Sequence, residues 1–287
     1  MYRADHVGSL LRPKELREAP GDVDIQDKYI LDALGRQKEL GFHIFTDGEF
    51  RRRGFMTDFY DSIEGLDKDG SIARAWHGGG SASAPLTGIV VERIEQRKRL
   101  TKHEVDFLKQ YSPGDIKMTL PTANQFPAIA YKKGVSEHAY KTYSEFLWDL
   151  VPIFKSEIES LAAEGVRYIQ IDAPRYSYYV DPKWRRYIKD EMGVDPEQAL
   201  DEAIRVDNAC LRDVKREGVI LAIHLCRGNN QSQWYAEGGY DPIAEKLFNN
   251  LTVDTFPSGV RIRTCGDLRA IAVRAAQKDG GSRIGEQ

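Results

Sequence analysis

Cysteine is scarce. Only Cys210, Cys226 and Cys265 occur in 287 residues, too few for a disulfide framework and in keeping with a reducing cytoplasm. Long apolar runs are missing as well. None approaches the ~20 residues that span a bilayer, and the opening MYRADHVGSLL lacks the apolar stretch of a secretory signal. Nor is there a cationic excess: 41 Lys and Arg against 44 Asp and Glu leave a net charge of −3, which argues against an electrostatic nucleic-acid binder. A tight basic run, Arg51-Arg52-Arg53, reads as a solvated helix face or a phosphate site. Neither GxGxxG nor GxxxxGK[ST] occurs, so a nucleotide-binding fold has no support. With these classes set aside, 41% hydrophobic and 30% charged residues describe an ordinary globular chain with a real core.

Strand-like and helix-like segments alternate. An extended piece is predicted at 3–9, a helix over 24–41, a strand in HIFTDGEF (43–50) and a mobile Gly/Ser/Ala-rich loop at 66–90. LTGIVVERIE (86–95) reads as a strand or hairpin piece outside the main alternation. Further strands are predicted at 115–123, 167–174, 219–226 and 251–256, and helices at 141–164, 195–217 and 240–250. Such alternation means parallel βαβ units. Polar residues gather just after the strands: Ser9, Asp47 and Glu49, Thr122 and Asn124, Asp172 and Arg175, His224 and Cys226. In a (β/α)8 barrel these are catalytic-face positions, and a doubly wound open sheet would also place ligands there. About six units are visible, fewer than a closed eight-fold barrel needs.

ILAIHLCRGNN (220–230) carries the sharpest chemical signal. Residues two apart on a strand share a face, so His224 and Cys226 can reach one metal, and imidazole with thiolate favours zinc. A buried histidine beside a buried thiol is the competing reading. Asp172, directly after an apolar strand, suits a ligand's ammonium group or a base, or caps its loop. Glu49 has the same two readings, with the neighbouring arginines as salt-bridge partners. Ser9 follows Gly8 at a close backbone approach or a simple turn. The aromatic run RYSYYVDPKWRRY (175–187) either walls a flat ligand or packs.

Taken in order, ADHVGSLLRP, IFTDGEFRR, KMTLPTA, YIQIDAP and AIHLCRGN resemble the catalytic barrel of cobalamin-independent methionine synthase and its shorter relatives, over residues 3–256. The resemblance implies a (β/α)8 TIM-type barrel, a zinc ion, a thiol substrate such as homocysteine, and a reduced methyl-folate as the methyl donor. It implies His224 and Cys226 as the first two zinc ligands, and Ser9, Glu49 and Asp172 as holders of the amino-acid part of the substrate. Zinc would lower the thiol's pKa so that a nucleophile exists at neutral pH. Related enzymes alkylate coenzyme M instead, and a pseudoenzyme that keeps part of the pocket is a further alternative. A metal-free decarboxylase of the same superfamily fits less well, because it needs no aligned imidazole and thiol.

The chain departs from the family after Phe256. Pro257, Ser258 and Gly259 stand where the Glu ligand is expected, and Cys265 lies in no strand-like context. A +1 reading of RAIAVRAAQK can give PLRFVPRK, similar to a run that family members carry in this region. Residues 1–256 are therefore expected to form an incomplete barrel, and 257–287 to be a truncated or frameshifted tail. Exposed barrel edges would then favour self-association.

Overall fold

The computed structural model describes residues 6–52, 54, 56–72, 77, 88–229 and 233–256. The strands among them are β1 (Ile44–Phe45), β2 (Ile63–Asp67), β3 (Ile89–Gln96), β4 (Asp115–Pro121), β5 (Tyr168–Asp172) and β6 (Ile220–His224). β1, β4, β5 and β6 lie side by side in that order, every pair parallel. β2 and β3 form a separate antiparallel pair, the hairpin piece expected outside the main alternation. Beyond β6 the backbone continues the parallel pattern: Thr255 bridges Ala222, and Ile223 N–H donates to Thr255 O at 3.1 Å.

Helices cross between the parallel strands, and local chemistry sets their ends. Asp22 accepts from Ile25 N–H at 3.0 Å to start Val23–Glu39. Asp195 accepts from Glu197 and Gln198 N–H, with Pro196 behind it, to start Pro196–Leu211. Gly165, at φ 91°, takes the left-handed turn that releases Val151–Ala163 into β5.

Several expected boundaries move, each for a physical reason. The strand predicted at 43–50 pairs only at Ile44 and Phe45, because the Gln37 side chain takes both backbone groups of Thr46. The helix predicted at 141–164 divides into Tyr143–Asp149 and Val151–Ala163, since Pro152 has no N–H to continue the first ladder. The helix predicted to reach 217 ends at Leu211, ahead of Asp213 at φ 61°. At 251–256 the single bridge at Thr255 replaces a full strand. Residues 6–9 form no strand; their backbone crosses the sheet, with Lys117 Nζ donating to His6 O and Gln170 Nε2 to Val7 O, both at 2.5 Å. Most of the 66–90 loop and all of the 257–287 tail, Cys265 included, lie outside the described residues.

Strand parity divides the sheet into two chemistries. Met118, Leu120, Ile169, Ile171, Leu221 and Ile223 alternate onto the face that joins the main core with the helices. The other face carries Lys117 and Thr119 from β4, Tyr168, Gln170 and Asp172 from β5, and Ala222 and His224 from β6. A small apolar floor of Ile44, Tyr168, Ala222 and Ile220 closes one end of that face. The rows become more polar toward the carboxyl ends: Thr119, Gln170 and Ala222 align, and then Pro121, Asp172 and His224.

Candidate active site at the carboxyl strand ends

Register alone brings Asp172 and His224 together, as Cα partners on neighbouring strands. Glu49 arrives by a different route. It follows β1 in a turn where its φ is 58°, a conformation that non-glycine residues adopt rarely. Its N–H donates to Asp47 Oδ1 at 2.9 Å, and its Oε1 accepts from Thr119 Oγ1 at 2.8 Å. Gly8 makes room for this carboxylate. A Cβ at residue 8 would stand 2.8 Å from Glu49 Oε1 and 2.8 Å from Thr119 Cγ2. Ser9 follows, exposed to solvent beside the buried pair.

Burial first, and then the charge of Glu49, push the Asp172 carboxyl up to about 8. Gln170 Nε2 donates to Asp172 Oδ1 at 2.8 Å, and Arg52 and Lys117 pull in the opposite direction without prevailing. Two buried carboxyls that feel each other's charge suit a cationic ligand group, because a cation relieves their repulsion and accepts their lone pairs.

His224 is buried and Cys226 half-buried. Burial chiefly, and the nearby Asp172 charge in addition, raise the Cys226 thiol to about 11, while the Gly228 backbone pulls it down. Without a cation beside it, Cys226 is therefore a protonated thiol at neutral pH. Tyr240 OH donates to Cys226 O at 2.9 Å and ties this loop to the helix Asp241–Asn250.

No family model matches the chain. An uncharacterized Bacillus subtilis protein is 30% identical over 278 residues, covering 88% of this chain and 69% of that protein. The structure of a putative vitamin-B12 independent methionine synthase from Listeria monocytogenes superposes with a TM-score of 0.62 at 25% identity, over 89% of this chain and 71% of the other. A methionine synthase of Sulfolobus acidocaldarius is 27% identical over 180 residues, 58% of this chain and 50% of that enzyme. The chain belongs to the cobalamin-independent methionine synthase family. Its TIM-barrel-type α/β fold is that of the family, with the four described parallel strands and the Thr255 bridge as its visible part.

Within that family frame, the residues singled out from sequence fall into two groups. Glu49, Asp172 and His224 converge on the polar face, with Cys226 just beyond the strand end and Ser9 at the rim. No third metal donor joins His224 and Cys226: among the described residues no group of three or more His, Cys, Asp or Glu side chains could hold a metal ion. The described donors do not complete a zinc site. The basic run has other work. Arg51 pairs with Asp27 and stacks over Phe107, Arg52 is buried against Glu104, and Arg53 lies outside the described residues. The aromatic run packs: Tyr178 stacks on Trp184 at 3.9 Å, and Arg175 lies 3.4 Å over the Tyr178 ring, all three buried. Asn124 accepts from Tyr179 OH at 3.2 Å within the same packing.

Sequence reasoning missed Thr119, Lys117, Gln170 and Glu104. The first three carried a usable signal, namely polar residues at alternate positions of DIKMTLP and YIQID, strands otherwise apolar. Glu104 had none, since its carboxylate meets Arg52 across 52 residues of chain.

Proposed function

We propose that the chain binds an amino-acid thiol and belongs to the chemistry that moves a methyl group from a reduced folate to the sulfur of homocysteine. The observation that carries this reading is the buried Glu49–Asp172 pair, which suits the ammonium group of an amino acid. The same pair disfavours coenzyme M, whose sulfonate would meet two carboxyls. Ser9 at the rim would hold the ligand's carboxylate by hydrogen bonding.

This reading gives the chain's own residues the following roles. Glu49 and Asp172 receive the ammonium group, and its charge favours the ionised form of Asp172, which gives up its proton to solvent. In this reading the substrate's side chain extends toward His224, the strand partner of Asp172, where its sulfur must ionise to act as a nucleophile. Zinc, bound by a complete donor set, supplies such a thiolate at neutral pH. His224 and Cys226 are two donors of the right kind, and among the described residues no third joins them.

The competing reading is a non-catalytic relative that keeps the buried carboxyl pair. Metal analysis separates the two. After dialysis of the full chain against a mild chelator, near-stoichiometric zinc that is lost in His224→Ala supports the transferase. A metal-free wild type that still takes up L-methionine in calorimetry supports the second reading, and a wild type that binds no amino acid removes both.

A further inference from the structure

Arg52 does not touch the polar space, yet its hydrogen bonds lead there. Its Nε and Nη2 grip Glu104 at 2.6 and 2.7 Å, and Nη2 also donates to Thr119 O at 2.9 Å. The guanidinium is thereby fixed to both β4 and the helix Lys102–Tyr111. Its Nη1 donates to Thr119 Oγ1 at 3.0 Å. Arginine can only donate, so the Thr119 hydroxyl accepts from Arg52 and must send its own proton elsewhere. Glu49 Oε1 receives it at 2.8 Å. The direct Arg52–Glu49 separation is 3.9 Å, an ion pair too long for a hydrogen bond, so the directional contact runs through Thr119.

The backbone beneath Glu49 is held by the same cluster. Arg12 Nη2 donates to Glu49 O at 2.8 Å and to Arg52 O at 2.6 Å, spanning the turn in which Glu49 has its left-handed φ. Strained backbone of this kind persists only where its surroundings over-determine it. Gly8, with no Cβ, leaves the space beside Oε1 that a larger residue would fill.

We infer that Arg52 and Thr119 are positioning residues which aim Glu49 Oε1 at the ammonium group of the bound amino acid, Arg52 acting through the Thr119 hydroxyl. This rests on the amino-acid reading of the Glu49–Asp172 pair. The relay explains why a buried arginine with a complete carboxylate partner keeps a further N–H for a threonine.

Thr119→Val removes the hydroxyl at nearly constant shape and leaves the Arg52–Glu104 grip in place, while Thr119→Ser keeps the hydroxyl. The full chain is titrated calorimetrically with L-methionine and with 4-(methylthio)butanoate, which lacks the amino group. The expected result is about tenfold weaker L-methionine binding in Thr119→Val, unchanged 4-(methylthio)butanoate binding, and wild-type behaviour in Thr119→Ser. Arg52→Lys, measured below its melting temperature, should show the same selective loss. Equal L-methionine affinity in Thr119→Val, or parallel weakening of both ligands, overturns the inference. If the wild type binds neither ligand, the amino-acid reading fails instead. The positioning claim is then decided by the side-chain carboxyl 13C resonance of Glu49, assigned with Glu49→Gln. That line should move in Thr119→Val and stay in Thr119→Ser, and a line unmoved in Thr119→Val rejects the relay.

Discussion

The two sides of the polar face are built to different degrees. On the β1–β4 side, Glu49 has a hydrogen-bonded hydroxyl, a doubly donated backbone turn and a clearing made by Gly8, and behind them lies the buried Arg52–Glu104 pair. On the β6 side, His224 ends the strand and Cys226 lies just beyond it, and among the described residues the parallel pattern continues as the Thr255 bridge. The first side draws its contacts from the turn after β1 and from β4, with Asp172 on the adjacent β5.

The largest way to disturb this contrast is to break the buried ion pair on the finished side. Glu104→Ala leaves the Arg52 guanidinium buried without its bidentate partner, and a loss of about 3–5 kcal/mol in denaturant unfolding is expected. Arg52→Met with Glu104→Leu should recover much of that stability and still impair L-methionine binding, because the relay to Thr119 is gone. Next in size, Glu49→Gln and Asp172→Asn should each weaken L-methionine by about tenfold in calorimetry, with little change for its des-amino analogue. Equal losses for both ligands would place the pair in structure rather than recognition.

A smaller effect is expected on the less finished side. Asp254 Oδ2 accepts from Leu221 N–H at 2.8 Å and from Arg216 at 2.6 Å, holding the last bridge against β6. Both side chains are partly exposed, so Asp254→Ala should cost only about 1 kcal/mol, read as a small shift in the urea midpoint. A loss as large as that of Glu104→Ala would show the β6 edge to be as firmly built as the other.

The last prediction concerns pH and an acid away from both sides. Burial pushes the Asp207 carboxyl, which accepts from Tyr176 OH at 2.7 Å, up to about 7. A folded-state value raised above the unfolded one means that the native state binds the extra proton. Asp207 therefore withdraws stability as pH rises from about 4 to 7 and changes little above that. Asp207→Asn should flatten that part of the melting-temperature profile, and an unchanged slope would assign it to other groups. Asp172, pushed up to about 8, and buried Asp47, also raised, have the same sign, so part of the slope should remain in Asp207→Asn.

Much of this was legible in the residues because it is periodic or local. Alternation in DIKMTLP, YIQID and ILAIH marks three neighbouring strands, and the parity of Asp172 and His224 puts both on one face. Helix starts at Asp22 and Asp195 follow from capping chemistry. Two boundaries failed where a side chain competed with the ladder or proline removed a donor, at Thr46 and at Pro152.

Sequence by itself determined the fold class, the family, and the set of strand-end residues that could carry chemistry, because each rests on spacing along the chain. Tertiary structure alone decided which of them lie together. Glu49 reaches Thr119 across 70 residues, and Arg52 reaches Glu104 across 52, so no local pattern could announce either contact. The same holds for Arg51-Arg52, which looked like one basic run. Burial turned Arg52 inward to Glu104, while Asp27 and the Phe107 ring hold Arg51. A buried charge must be paired wherever its partner lies in the chain, and only the folded backbone shows where that is.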